Sequence, residues 1–120
     1  MTAEESKRFV RQYFAALGKD KSQATLDQYI GKEDAALVEH INAAEGAFPG
    51  YQLIETAMIA EGDLVAARFQ LQATHAPTGK PVDVPGMIWY QVRDGKIVNH
   101  WMILDNETLA QQLSATPQVA

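Results

Sequence analysis

Phe9, Val10, Tyr13, Phe14 and Leu17 recur at helical intervals between Gly18 and a Thr2/Glu5 pair with capping-box spacing, which predicts an amphipathic first helix. Past the polar stretch 19–22, a short second helix is expected over Ala24 to Ile30, stopped by Gly31. A third is expected from Glu33 to Ala47, with Leu37, Val38, Ile41, Ala44 and Phe48 on one side and Glu39, His40 and Asn42 facing elsewhere. Pro49-Gly50 ends it, and from Tyr51 the apolar period drops to two. Turn signals at 61–63, 77–79 and Asp94-Gly95 then divide the chain into strands Tyr51–Ala60, Leu64–His75, Val82–Arg93 and Lys96–Leu104. Asp105 or Asn106 can cap a last helix reaching Gln112 or Leu113, after which Ser114 to Ala120 reads as a loose tail. The pattern is α+β: a four-stranded antiparallel meander with three helices before it and a short one after.

Two strands say more about faces. Val65, Ala67, Phe69, Leu71, Ala73 and His75 share one side of the second strand, so His75 closes an apolar row. In the fourth, Ile97, Asn99, Trp101, Ile103 and Asp105 alternate against Val98, His100, Met102 and Leu104, and both rows are largely apolar. The first row is taken as the inner one, which sends His100 to the interface or surface. A strand apolar on both sides needs cover on both, and a homodimer through the outer sheet face supplies it.

With 120 residues, 47% hydrophobic and 21% charged, the chain fits one folded domain. A net charge of −5 without a basic run argues against nucleic acid or anionic membrane as partner. The absence of cysteine, of a basic-apolar leader and of a membrane-length apolar segment points to a cytoplasmic protein. No phosphate-binding glycine loop, nucleophile elbow or zinc-ligand spacing occurs, and His40, His75 and His100 lie on separate elements. Chemistry must then come from carboxylate, imidazole, phenol and amide groups in an apolar cavity.

The segment from Phe48 to Leu113 resembles the SnoaL-like polyketide cyclases, a branch of the nuclear transport factor 2-like superfamily. The resemblance runs through Phe48-Pro49, Ala60-Glu61-Gly62-Asp63 with Val65 and Arg68, Thr74-His75, Pro77-Thr78-Gly79-Lys80, Asp94-Gly95-Lys96-Ile97, Trp101 with Asp105, and Gln112-Leu113, in the family's order. Only Ala76 separates Thr74-His75 from Pro77, where the family typically has an insertion, and Asn99 replaces its usual glutamate. The resemblance implies a cone-shaped domain spanning residues 1–120, its curved sheet enclosing a ligand beneath the helices, without metal or organic cofactor. It also implies intramolecular aldol-type ring closure, with Asp105 as acid/base and His75 as the family's histidine. A carboxylate desolvated among Trp101, Ile103 and Ile97 would suit that task by its raised pKa, although aspartate before a short helix is equally a favoured N-cap.

Trp101 and Tyr90 are expected to line the pocket as apolar walls, with core packing the favoured role and the Tyr90 hydroxyl secondarily a donor to an enolate oxygen. Asn99 could hold a carbonyl or equally satisfy a backbone group, and Tyr13 could reach in from the first helix although its spacing to Phe9 and Leu17 favours plain core. His75 could orient a substrate oxygen or serve as a structural histidine bonded to the loop. Two alternatives remain open beside the enzyme: a non-catalytic small-molecule binding module, and a dimeric protein-interaction scaffold.

Overall fold

A computed structural model describes residues 2–114; the expected tail lies mostly outside the described residues. Helix α1 covers Ala3–Lys19, and its start is the anticipated capping box: Thr2 Oγ1 accepts from the Glu5 amide and Glu5 Oε1 from the Thr2 amide, both at 3.1 Å. Its apolar stripe of Val10, Tyr13, Phe14 and Leu17 is buried, and the buried Ser6 hydroxyl donates to the Gly62 carbonyl at 2.7 Å, tying α1 to a strand turn. Helix α2 (Gln23–Tyr29), capped by Ser22, buries Leu26 alone. At its end the Gly31 amide donates to the Ile97 carbonyl at 2.8 Å, joining this connection to the sheet.

The expected third helix divides into a 3-10 turn at Lys32–Asp34 and helix α3 at Ala35–Ala47. The break has a local cause: the Asp34 side chain accepts from the Leu37 amide and caps α3 in place of a residue further upstream.

Strands β1 (Gln52–Glu61), β2 (Leu64–Thr74), β3 (Pro81–Arg93) and β4 (Lys96–Leu104) pair antiparallel in sequence order as a curved open sheet, followed by α4 (Asn106–Ser114). Asp94 and Gly95 both take positive φ, 51° and 71°, as the tight two-residue turn between β3 and β4 requires. Register slips occur between Glu55 and Ala57 in β1 and between Gln91 and Val92 in β3, and such slips bend and twist a sheet. Gly86 faces Phe69 across β2 and β3, where an added methyl would lie 2.5 Å from Phe69 Cζ. The glycine thus makes room for an inward ring.

The concave face carries Val65, Ala67, Phe69, Val84, Ile88 and Tyr90, all buried against α1 and α3. Among the described residues, no helix covers the convex face, where Ile59 is 73% exposed, Trp101 60%, Ile103 54% and Met87 51%. Among the described residues, no helix is long and apolar enough to cross a membrane.

Candidate functional site

A cavity of about 300 Å³ lies between the concave sheet face and helices α1 and α3. Phe69, Leu71, Ile88 and Tyr90 from the sheet, Tyr13 and Leu17 from α1, and Leu37, Ile41, Ala44 and Ala47 from α3 form most of its wall. This volume is at the lower end of small-ligand pockets. His40 and Ala43 both line the cavity and are exposed, so it opens to solvent along α3.

The polar groups reaching this space are few. Tyr90 is wholly buried, and among the described residues its hydroxyl has no well-aligned hydrogen-bond partner. The Tyr13 ring stands edge-on to it with centroids 5.6 Å apart, near enough for the phenols to perturb each other without giving the Tyr90 oxygen a properly aligned bond. Burial holds both hydroxyls protonated far above the usual phenol range, and the Asp34 carboxylate adds to it. Tyr51, also in the wall, is pushed up to about 12 by burial and the nearby Glu45 charge. His40 is driven the other way: packing of its ring disfavours the cation, and His100 adds repulsion, so its pKa falls below the ordinary imidazole value. At neutral pH the cavity therefore presents a neutral imidazole at its mouth and protonated phenols inside.

Behind the wall lies a buried carboxylate–imidazole contact. His100 Nδ1 is 2.7 Å from Asp34 Oδ2 and 3.0 Å from Oδ1, and Asp34 is only 5% exposed. His100 sits directly opposite Tyr90 in the β3/β4 register.

The site residues expected from sequence divide into two groups. Tyr13 and Tyr90 line the cavity. His75 is half-buried outside its lining, with its ring 5.3 Å from that of Phe48, a wall residue, and Nδ1 2.8 Å from Thr78 Oγ1. Trp101, Asn99 and Asp105 do not enter. Trp101 and Asn99 border a shallow convex-face depression with Trp89. Asp105 is exposed beside Arg68 and Met87, and caps α4 by accepting from the Thr108 amide at 3.0 Å and hydroxyl at 2.7 Å. Those two bonds hold its carboxyl below the usual range, the reverse of the raised pKa expected of a desolvated acid.

The correction has one origin. In β4, Ile97 is fully buried, yet Asn99, Trp101, Ile103 and Asp105 are exposed while Met102 and Leu104 line the cavity. The register passes from Gln91 opposite Asn99 to Val92 opposite Ile97, leaving Val98 without an opposite number. A bulge of that kind advances the alternation by one residue, so the phase set by Ile97 is lost beyond it. His100, assigned from sequence to the outer face, turns inward for the same reason. His40 and Asp34 were legible in principle: His40 lies on the Leu37, Ile41, Ala44 stripe at helical spacing, and Asp34 stands three residues before Leu37 as a cap.

Residues 4–113 match the sequence model of the SnoaL-like polyketide cyclases. No curated protein matches the chain. Among solved structures, AclR from Streptomyces galilaeus superposes with a TM-score of 0.82 at 24% identity, covering 99% of this chain and 87% of its own. IdmH from Streptomyces antibioticus gives 0.80 at 23%, covering 92% and 99%. A SnoaL-like polyketide cyclase from Agrobacterium tumefaciens gives 0.80 at 15%, covering 95% and 99%. These likenesses establish a shared fold.

Proposed function

The chain belongs to the SnoaL-like polyketide cyclase family, and from that premise we propose that it is an acid/base enzyme acting on a neutral, flat, carbonyl-bearing molecule, in aldol-type ring closure or closely related chemistry that needs no cofactor. The carrying observation is the Tyr90 hydroxyl, wholly buried without a partner in an otherwise greasy cavity. A buried donor left unpaired costs free energy, so its natural acceptor is a ligand oxygen. Among the described residues, no Lys or Arg lines the cavity, which disfavours a carboxylate or phosphate on the substrate.

In the proposed reaction His40, neutral at the mouth, removes a proton from the carbon next to a substrate carbonyl. The C–H electron pair becomes the carbon–carbon π bond, and the carbonyl π pair moves onto oxygen, which accepts from the Tyr90 hydroxyl with Tyr13 beside it. The enolate carbon attacks a second carbonyl, and the resulting alkoxide takes the proton back from His40. Asp105 and His75, which the resemblance pointed to, stand outside this wall, and the acid/base role is placed on His40 instead.

The test needs no knowledge of the natural substrate. β-Tetralone, a flat ketone with acidic α protons, is incubated with the protein in deuterium oxide, and loss of the α-proton signal is followed by proton NMR. The wild type is expected to exchange the protons well above the buffer rate, and His40→Gln to lose about 10²-fold of it or more. Saturable binding of β-tetralone without any exchange would favour the non-catalytic binding module.

A further inference from the structure

We propose that Asp34 and His100 are positioning residues of this cavity: the buried carboxylate locks the His100 ring to the first turn of α3, and so sets where His40 stands relative to the Tyr90 hydroxyl. The inference deepens the acid/base reading and rests on it.

The starting point is that Asp34 has two tasks. Its Oδ1 accepts from the Leu37 amide at 3.3 Å, capping α3, and both its oxygens lie within hydrogen-bond reach of His100 Nδ1. A cap alone does not call for a buried charge, since serine or threonine supplies the same acceptor without one. The charge finds its use in the imidazole. A carboxylate on Nδ1 requires the proton there, which fixes the ring's orientation and leaves Nε2 as its other working nitrogen.

The geometry then spreads from this pair. Asp34 opens the helix that carries Leu37, His40, Ile41 and Ala44 into the cavity wall, while His100 is fixed on β4 across from Tyr90. The pair is thus a staple between α3 and the sheet. The 3-10 turn of Asp34 packs on β4, whereas α1 packs on β1 and β2. Three titratable groups lie within electrostatic reach: Tyr13 on α1 and Tyr90 on β3, both influenced by Asp34, and His40 on α3, influenced by His100. The carboxylate thereby favours protonated phenols and the imidazole favours a neutral His40, the division of labour an enolising site requires.

Asp34→Asn is the decisive variant, because an amide keeps the cap acceptor and the shape while removing the charge; Asp34→Ser replaces it if the amide fails to fold. Circular dichroism establishes the fold, and β-tetralone exchange is measured against pH and ketone concentration beside an NMR titration of the His40 ring. We expect kcat to fall by about 10²-fold with KM nearly unchanged. The His40 titration and the matching limb of the rate profile should shift with it, since His100, which the carboxylate holds, acts on His40. A folded variant with unaltered kcat and His40 titration would overturn the inference while leaving the acid/base reading intact if the wild type exchanges. If the wild type does not exchange at all, that reading falls, and the His40 titration in the variant still decides whether the pair governs the cavity's histidine.

Discussion

Replacing Tyr90 by phenylalanine removes one oxygen and leaves the ring, so it isolates the role of the hydroxyl. In the free protein that oxygen is fully buried without a partner, a condition that costs about 1–3 kcal/mol. The Tyr13 phenol lies near enough to soften the penalty, which places the relief at the low end, about 1 kcal/mol. Tyr90→Phe should therefore be as stable as the wild type or more so, with Tm raised by about 4 °C for a chain of this size. Activity should change in the opposite direction: a donor aimed at a developing enolate oxygen accounts for about 10²–10³ in rate. The assays are thermal unfolding by circular dichroism and β-tetralone exchange by proton NMR on the same sample. A variant destabilised by about 2 kcal/mol would mean that the hydroxyl already has a good partner in the protein, and the argument for a waiting donor would fail. Unchanged exchange in a stable variant would refute the enolate contact alone.

Three further expectations concern the convex face. Asp105→Asn should leave β-tetralone exchange nearly unchanged, since that carboxylate caps α4 outside the cavity; an orders-of-magnitude loss in a folded variant would restore the acid/base role to Asp105. Because its folded pKa is depressed, the stability it contributes is present above its unfolded pKa of about 4 and is lost as pH falls through the lower folded value, so urea unfolding should show wild type and Asp105→Asn converging in acid. Met87, Trp101 and Ile103 are exposed on this face, an apolar patch of the kind that pairing with a second copy of the chain would cover. Light scattering behind gel filtration should give a dimer and Ile103→Lys a monomer, whereas a monomeric wild type at all concentrations would remove the dimer.

Element order, the capping box at Thr2, the Asp94-Gly95 turn and the inward row of β2 were all legible, because each depends on residues near one another in sequence. Tyr13 and Tyr90 could be placed for a related reason: each belongs to an unbroken period, helical on α1 and alternating on β3. What sequence could not supply was the phase of β4 beyond its bulge. Alternation identifies which residues travel together, and it did so correctly for Asn99, Trp101, Ile103 and Asp105. Which side they take depends on a pairing irregularity that Lys96 to Leu104 do not announce, as no glycine marks it. The Asp34/His100 pair was hidden differently, its members lying 66 residues apart on elements whose contact only the closed fold creates.

The unpaired Val98 therefore has consequences beyond one strand. Without the slip, Trp101 and Asp105 would face α3, and His100 would stand on the convex side, away from Asp34. A tryptophan and a carboxylate would then crowd the space now bounded by Met102 and Leu104, while Asp34 would be a buried charge with only a helix amide to answer it. With the slip, the charged acid keeps its water and its helix cap, and the imidazole reaches the buried carboxylate. The cavity retains the apolar wall against which one unpartnered phenol can discriminate a ligand oxygen. Strand phase thus decides which chemistry the hollow contains, even though it leaves the composition of the strand unchanged.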